Sequence, residues 1–213
     1  MAAAKSPDDS LQLVISFEVK VGGKALPTGL VVLKVHVKLE VNKIARAYVS
    51  ILGGKSYENL FPESEEAIFA PGKDVEISIG YAQKNTKVFS GIITKHSLDI
   101  STNYLSYSSR NLLLLEASDK SIKMTVGKKS EIYEKKKDSD IITTLLSTAG
   151  LTKTVAATTL THELISRHNC SDWEFMLNRA KANGMVVLNA MGAVTVEAPK
   201  SSGTEVLTLT YGK

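Results

Sequence analysis

Residues 162–172 hold the densest group of side chains that could bind a metal or transfer protons: His162, Glu163, His168, Cys170 and Asp172. Zinc enzymes of the H-E-x-x-H type need both histidines on one helical face, four residues apart, with the glutamate beside the metal. Here the second histidine follows six residues after the first, and the residues between them have the pattern of a strand. The sequence therefore favours ordinary loop and surface roles over a structural metal site. A metal-dependent hydrolase or effector built on this group stays open as the alternative from a different class.

The other candidates for chemistry are weaker. A position just before a helix N-terminus favours a reactive thiolate at Cys170, but no sequence signature pairs it with a base. The lysines of residues 128–137 could bind phosphates, but interleaved acidic residues favour a solvated face. The glycine pairs 22–23 and 53–54 read as hairpin turns, and neither leads into a helix as a phosphate cradle requires. The sequence thus nominates no catalytic, cofactor-binding or metal-binding residue.

The composition narrows the classes of partner. The chain has 213 residues, a formal net charge of +4 and one cysteine. This mildly basic balance falls short of a nucleic-acid-binding protein, and a single cysteine excludes an internal disulfide framework and fits a reducing compartment. Residues 1–10 lack an apolar signal core, and no run approaches the ~18 apolar residues of a membrane span. We expect a flexible N-terminus over residues 1–10, no nucleic-acid partner, no stable membrane insertion and no export by the general secretory route.

The first half of the chain has the pattern of an antiparallel β-barrel. Alternating apolar and polar residues predict six strands with short connections, at 11–21, 30–42, 47–52, 74–81, 87–100 and 104–117. The alternation predicts an interior containing Leu13, Ile15, Phe17, Val35, Val37, Ile77 and Ile79. The loop 55–72 is long and acidic and carries apolar residues, including Phe61 and Phe69, so we expect it to contact neighbouring molecules.

After residue 118 the pattern changes to a small mixed α/β unit. A helical turn is predicted at 119–124, a helix capped by Asp138 or Ser139 and ending at Gly150, and short strands near 132–133, 155–158 and 164–167. A second helix follows Ser171, whose side chain and that of Glu174 can form a capping box. Trp173 begins its apolar stripe and is expected to anchor the helix on a hairpin at 185–197. The resulting organisation is a barrel at 11–118, an α/β insert at 119–199, and an opening strand of a second barrel at 205–213.

Residues 171–175 (SDWEF) and 182–185 (ANGM) resemble the S-D-W-(D/E)-F-L…R-A-E-A-N-G stretch of VgrG-type spike proteins of type VI secretion and related extracellular contractile injection systems. Further segments match in the same order along the chain: 40–44 (EVNKI), 69–72 (FAPG), 89–96 (FSGIITKH), 119–125 (DKSIKMT) and 207–212 (LTLTYG). Each match is short, but the ordered series spans most of the chain.

The resemblance implies a baseplate hub similar to that of contractile phage tails: a tail-tube-like β-barrel, a small α/β insert, and a second barrel that this chain lacks. It also implies a homotrimer in the full-length protein, which docks on an Hcp-like inner tube hexamer and on baseplate proteins. A spike-tip PAAR protein and effectors would bind through C-terminal regions beyond this chain. The implied location is the cytoplasm during assembly and the exterior once the particle is propelled out. No catalytic residue and no cofactor carry over, and a tail-tube or tail-completion ring subunit is the alternative.

Overall fold

The computed structural model describes residues 14–53, 67–102 and 109–200. Several predictions concern residues outside these ranges: the flexible N-terminus at 1–10, the interior position of Leu13, the contact role of Phe61, and the strand at 205–213.

The first part of the described chain is a single antiparallel sheet. Its strands are Ile15–Val21 (β1), Lys24–Ala25 (β2), Val31–Lys38 (β3), Arg46–Leu52 (β4), Asp74–Tyr81 (β5), Lys84–Thr102 (β6) and Ser109–Ser118 (β7). They lie in the order β2-β1-β5-β6-β7-β4-β3, with a 3₁₀ turn at Ala67–Phe69 before β5. Within the described ranges β2 and β3 are the edges of this sheet, so the pairing that would close a barrel is not seen there. The predicted mainly β class with a mixed α/β part is confirmed, and β2 is a strand that the sequence pattern missed.

The two halves of β6 pair with different strands, so that β5 and β7 are offset from each other along its length. Residues 84–92 of this strand pair with β5, whereas residues 92–102 pair with β7 on the other edge. Gly91 lies where β6 changes partners, and a Cβ atom there would stand 2.2 Å from the Ser118 carbonyl oxygen. The close approach of two backbones therefore requires glycine at this position.

One face of the sheet packs on an apolar core that includes Val19, Ile51, Ile77, Phe89 and Leu113. The predicted interior is confirmed for the buried Ile77 and for Ile79, Val35 and Val37, which are partly buried and pack on this core.

Two predicted interior residues are exposed. Ile15 is 66% and Phe17 44% exposed. They lie on the same face of β1 as the buried Val19, but they pair with the end of β5, where Tyr81 is itself 48% exposed. The alternation identified the correct face, but a period of two carries no information on how far along a strand the core extends.

Phe69 also differs from its predicted role. Its side chain is fully buried in the sheet core, so it packs inside the molecule and contacts no neighbour. Within the described end of this loop, residues 67–72, Ile68 also packs on the core, whereas Ala67, Pro71 and Gly72 are exposed, so the contact role of the rest of the loop stays a prediction.

The second part of the described chain is a mixed α/β unit. It comprises the 3₁₀ turn Lys120–Thr125, the strands Lys129–Lys137 (β8), Thr152–Val155 (β9), Thr161–Cys170 (β10), Val186–Ala190 (β11) and Ala193–Glu197 (β12), and the helices Asp138–Thr148 (α1) and Asp172–Ala182 (α2). β8 and β10 form an antiparallel ribbon, while β11, β12 and β9 form a small sheet in which β12 and β9 are parallel.

β8 and β10 are longer than predicted. The sequence pattern showed only the centre of this ribbon, at Tyr133 and Ile165, because this part packs on apolar residues and most of the rest is exposed. Both helices cover a second core with Ile142, Met176 and Val187. No helix within the described ranges is both long and apolar enough to cross a membrane. The structure does not test the predicted domain limits at 118 and 199, which stay predictions.

Candidate functional site

The residues proposed as metal ligands are spread along β10 and the start of α2. His162 and His168 are six positions apart on this strand, which places them about 20 Å from each other. His162 is bound to Asp138, and His168 is exposed. Within the described ranges, no group of three or more His, Cys, Asp and Glu residues is arranged to hold a metal ion. The structure therefore does not bring the two histidines together.

Asp138 organises the polar cluster that contains His162. Its buried carboxylate accepts hydrogen bonds from Arg179 Nη2 (2.9 Å) and Asn183 Nδ2 (2.8 Å), and His162 Nε2 lies 3.0 Å from Oδ2. Burial alone would raise the pKa of Asp138, but these partners lower it to about 2. The carboxylate thus ties β10 and α2 to the first residue of α1. The predicted cap by Asp138 or Ser139 is wrong: the N-cap residue is Lys137, and it makes no side-chain capping bond.

Asp172 and Cys170 belong to a second polar cluster, around Arg167. The Arg167 side chain is fully buried, with Nη1 2.6 Å from Asp172 Oδ1 and Nη2 donating to the Cys170 carbonyl at 2.7 Å. Its guanidinium also lies 5.5 Å from the centre of the Phe175 ring. Burial would lower the pKa of Arg167, but the bonds to Asp172 and other partners raise it. Asp172 is therefore committed to an ion pair, and Cys170 contributes its carbonyl to this cluster.

Tyr133 lies beside this cluster and donates a 2.6 Å hydrogen bond to Glu131. Burial and the neighbouring Glu131 carboxylate raise the pKa of Tyr133 to about 12, so the phenol stays protonated at neutral pH. The ring stacks on Phe175 with centroids 5.5 Å apart. The arrangement packs the ribbon on α2 and leaves the hydroxyl as a hydrogen-bond donor.

The capping box at the start of α2 is confirmed. Ser171 Oγ accepts from the Glu174 N–H at 3.2 Å, and Glu174 Oε2 accepts from the Ser171 N–H at 2.8 Å. These backbone and side-chain bonds lower the pKa of Glu174. Trp173 is 6% exposed and belongs to the core cluster that includes Val187 of the hairpin, as its anchor role predicts.

A third polar cluster, the Asp119 junction, joins the sheet to the α/β unit, and the sequence analysis did not predict it. It consists of Asn42, Ala45, Asp119, Asn189 and Gly192. Asp119 is fully buried; Oδ1 accepts from Ser121 N–H (2.9 Å) and Asn189 Nδ2 (3.0 Å), and Oδ2 accepts from Gly192 N–H (2.6 Å). Asn189 Oδ1 in turn accepts from the Ala45 N–H at 2.9 Å.

The loop between β3 and β4 completes this junction. The Asn42 N–H donates to the Val187 carbonyl at 2.8 Å, and Asn42 Oδ1 accepts from the Val187 N–H at 2.9 Å. Asn42 has φ +62°, a left-handed conformation that asparagine tolerates better than most residues. Only the capping position of Asp119 before a helical turn is visible in the sequence, because its other partners are about 70 residues away along the chain.

A groove of about 550 Å³ lies next to this junction, between the β3–β4 loop, the 3₁₀ turn Lys120–Thr125 and α2. Its lining includes apolar side chains and three cations: Ile44, Tyr48, Ile122, Trp173, Lys38, Lys43 and Arg46. Arg46 also borders a smaller adjoining hollow with Thr94 and Ser118. This groove, called the Arg46 groove below, combines apolar and cationic side chains in one concave surface.

Comparisons with known proteins identify the fold. The family model described as the Alg8 N-terminal domain matches residues 11–213. No curated protein matches the chain by sequence. The 43 kDa tail protein of prophage MuSo2 from Shewanella oneidensis is similar over 91% of this chain and 55% of its own, with a TM-score of 0.64 and 13% identity. A tail protein from Neisseria meningitidis is similar over 90% of this chain and 53% of its own, with a TM-score of 0.60 and 16% identity.

A third similar structure is a type VI secretion component of E. coli, which is itself described as similar to the T4 tail proteins gp27 and gp5. The likeness extends over 84% of this chain and 48% of the E. coli chain, with a TM-score of 0.61 and 15% identity. The chain therefore spans about half the length of these solved structures. At these identities the likeness concerns the fold. The predicted resemblance to VgrG-type hub proteins is confirmed at that level, and a PdpA–VgrG complex also matches, with a TM-score of 0.52.

Proposed function

Because the chain belongs to the Alg8 N-terminal domain family and has the fold of phage tail and VgrG-type proteins, we propose that it is a structural hub component of a contractile injection particle. In this role it links the inner tube to the puncturing spike and helps to load or deliver effectors. The observation that carries the proposal is the likeness to the tail proteins over about nine-tenths of the chain.

Assembly by shape and edge pairing is the proposed mechanism. The outer edge of β3 pairs with no strand in the described ranges, and β2 covers only the end of β1 at Lys20 and Val21. Unpaired edges are sites where a strand of another chain can add. The proposed partners are two further copies of the full-length protein, an Hcp-like tube hexamer and baseplate proteins, with a PAAR protein and effectors bound elsewhere on that protein. Residues 11–118 and 119–199 would form the two units, and residues 205–213 would open a second barrel.

The proposal includes no enzymatic activity and no bound metal or cofactor. It is supported by the engagement of His162, Arg167 and Asp172 in structural contacts. Stoichiometric metal in the purified full chain, measured by mass spectrometry, would revive the hydrolase alternative. The proposed location is the cytoplasm during assembly and the exterior as part of the released particle.

Copy number and position in the particle separate a hub from a tube-ring subunit. An epitope inserted at the exposed β5–β6 turn, between Ala82 and Gln83, should leave both cores untouched. Gold-labelled antibody should then mark one end of purified particles, and quantitative mass spectrometry should count three copies per particle. Gold label along the whole tube, together with a copy number that is a multiple of six, would establish that the chain is a tube-ring subunit and would refute the hub proposal. A matched insertion in the tube protein is the control for lateral labelling.

A further inference from the structure

The Arg46 groove contains hydrogen-bond donors that have no acceptor. Arg46 is exposed at the start of β4 and makes no ion pair or side-chain hydrogen bond with residues of the described ranges. Within those ranges the indole N–H of Trp173 likewise has no acceptor. Guanidinium and indole groups donate and do not accept, so a complementary ligand must present acceptors.

The carboxylates near Arg46 are already occupied. Glu40 lies 3.3 Å from Lys38 and 3.1 Å from Lys43, and these two ion pairs form one rim of the groove. Glu116, which borders the adjoining hollow, pairs with Lys95 at 3.4 Å. Arg46 is therefore the cation in this concave surface that is left for an external carboxylate, which its planar fork can bind through two parallel hydrogen bonds.

The apolar part of the lining distinguishes between classes of anion. Ile44 and Ile122 are partly buried and offer aliphatic surface beside the guanidinium, and the mostly buried Trp173, 6% exposed, also lines the groove. A peptide can fill such a surface with side chains while a neighbouring carboxylate reaches Arg46. A nucleic-acid backbone carries a phosphate at every nucleotide, so it would also bring phosphates against Glu40 and Glu116, whereas a peptide can place a single carboxylate on Arg46.

We propose that the Arg46 groove is a docking site for an extended acidic peptide segment of a partner protein, with a carboxylate on Arg46 and an apolar side chain against Ile44 and Ile122, next to Trp173. The proposal does not depend on the hub function, because the groove and its unpaired donors lie within this chain. Its ligand would contact side chains rather than the unpaired backbone edges of β1 and β3, although Lys38 at the end of β3 borders it.

Trp173 provides the measurement, because it is the single tryptophan of the chain. The probe is a synthetic peptide that does not occur in this chain (GELEFELESG), which combines four glutamates with Leu and Phe and contains no tryptophan or basic residue. Titration of the full chain with this peptide should give a saturable change in indole emission. Arg46→Ala should weaken the apparent affinity at least tenfold. Lys84→Ala, which removes an exposed charge at the far end of the sheet, should leave it unchanged.

The chemistry of recognition is tested with two further reagents and one further variant. The same peptide with glutamine at all four glutamates should bind at least tenfold more weakly. Arg46→Lys should give an intermediate loss, because lysine keeps the charge but not the planar fork. No saturable response, an equal response in Arg46→Ala, or tighter binding of a single-stranded oligonucleotide than of the peptide would overturn the proposal. Thermal unfolding of each variant confirms that the fold is retained.

Discussion

Replacement of Asp119 by alanine should destabilise the protein more than any single surface change, because Asp119 holds the sheet and the α/β unit together. The substitution removes the acceptor of three hydrogen bonds at 2.6–3.0 Å, from Ser121, Asn189 and Gly192. Ser121 and Asn189 are themselves buried, so their donors cannot turn to bulk water without local opening.

The magnitude follows from the donors that are left behind. Each buried donor without an acceptor costs about 1–3 kcal/mol, and the costs are less than additive because one water molecule can serve two of the donors. We therefore expect Asp119→Ala to lower the free energy of unfolding by about 3–5 kcal/mol, a large share of the ~5–15 kcal/mol that holds a typical domain. Asp119→Asn keeps one oxygen but turns an NH₂ group towards a donor, and should cost about half as much.

Urea unfolding followed by circular dichroism measures this cost, with Asp99→Ala as the matched control because Asp99 is exposed on β6. Amide hydrogen exchange gives a local readout: the N–H groups of Gly192 and Ala45 should lose protection in Asp119→Ala. A loss of less than 1 kcal/mol, with both amides as protected as in the parent, would refute the view that the Asp119 junction couples the two parts.

Three further predictions concern single side chains. Trp173→Ala should lower the free energy of unfolding by about 3–5 kcal/mol, and unchanged thermal unfolding would contradict its anchor role. Phe69→Ala should cost a similar amount in the sheet core, whereas Phe17→Ser at 44% exposure should cost less than about 1 kcal/mol; equal losses in a thermal melt would mean that Phe17 is covered in solution. The pKa of Asp138 is lowered to about 2 in the folded state, so its contribution of about 2–3 kcal/mol is present above pH 4 and is lost as the pH falls towards 2. Asp138→Asn should flatten that part of the pH–stability profile, and an unchanged acid limb would exclude the assigned ion pair.

Local patterns were read correctly where the local sequence alone decides the structure. The strand Asp74–Tyr81 has the predicted limits, and Ser171 and Glu174 form the predicted capping box. Both depend on neighbours within a few residues. Gly184, with φ +64°, ends α2 in the left-handed conformation that a glycine after a helix commonly adopts.

Features that depend on distant parts of the chain could not be predicted. The exposure of Ile15 follows from where β5 ends, and the partners of Asp119 come from a hairpin about 70 residues away. Asp138 looked like a helix cap because its type and position fit one, but Arg179 of α2 and Asn183, which follows α2, donate to its carboxylate. The Arg46 groove is likewise formed by segments from both parts of the molecule, so no single stretch of the sequence predicts it.

The stagger of β6 has a mechanical consequence. The strand contains about 60 Å of extended chain, is held by β5 along one half and by β7 along the other, and both ladders run at right angles to its length. A pull along β6 therefore loads the rungs of each ladder in shear, so that many hydrogen bonds share the force and must fail together. The same strand would peel apart bond by bond under a pull across it. The sheet is consequently anisotropic, and it is stiffest along the direction of β6.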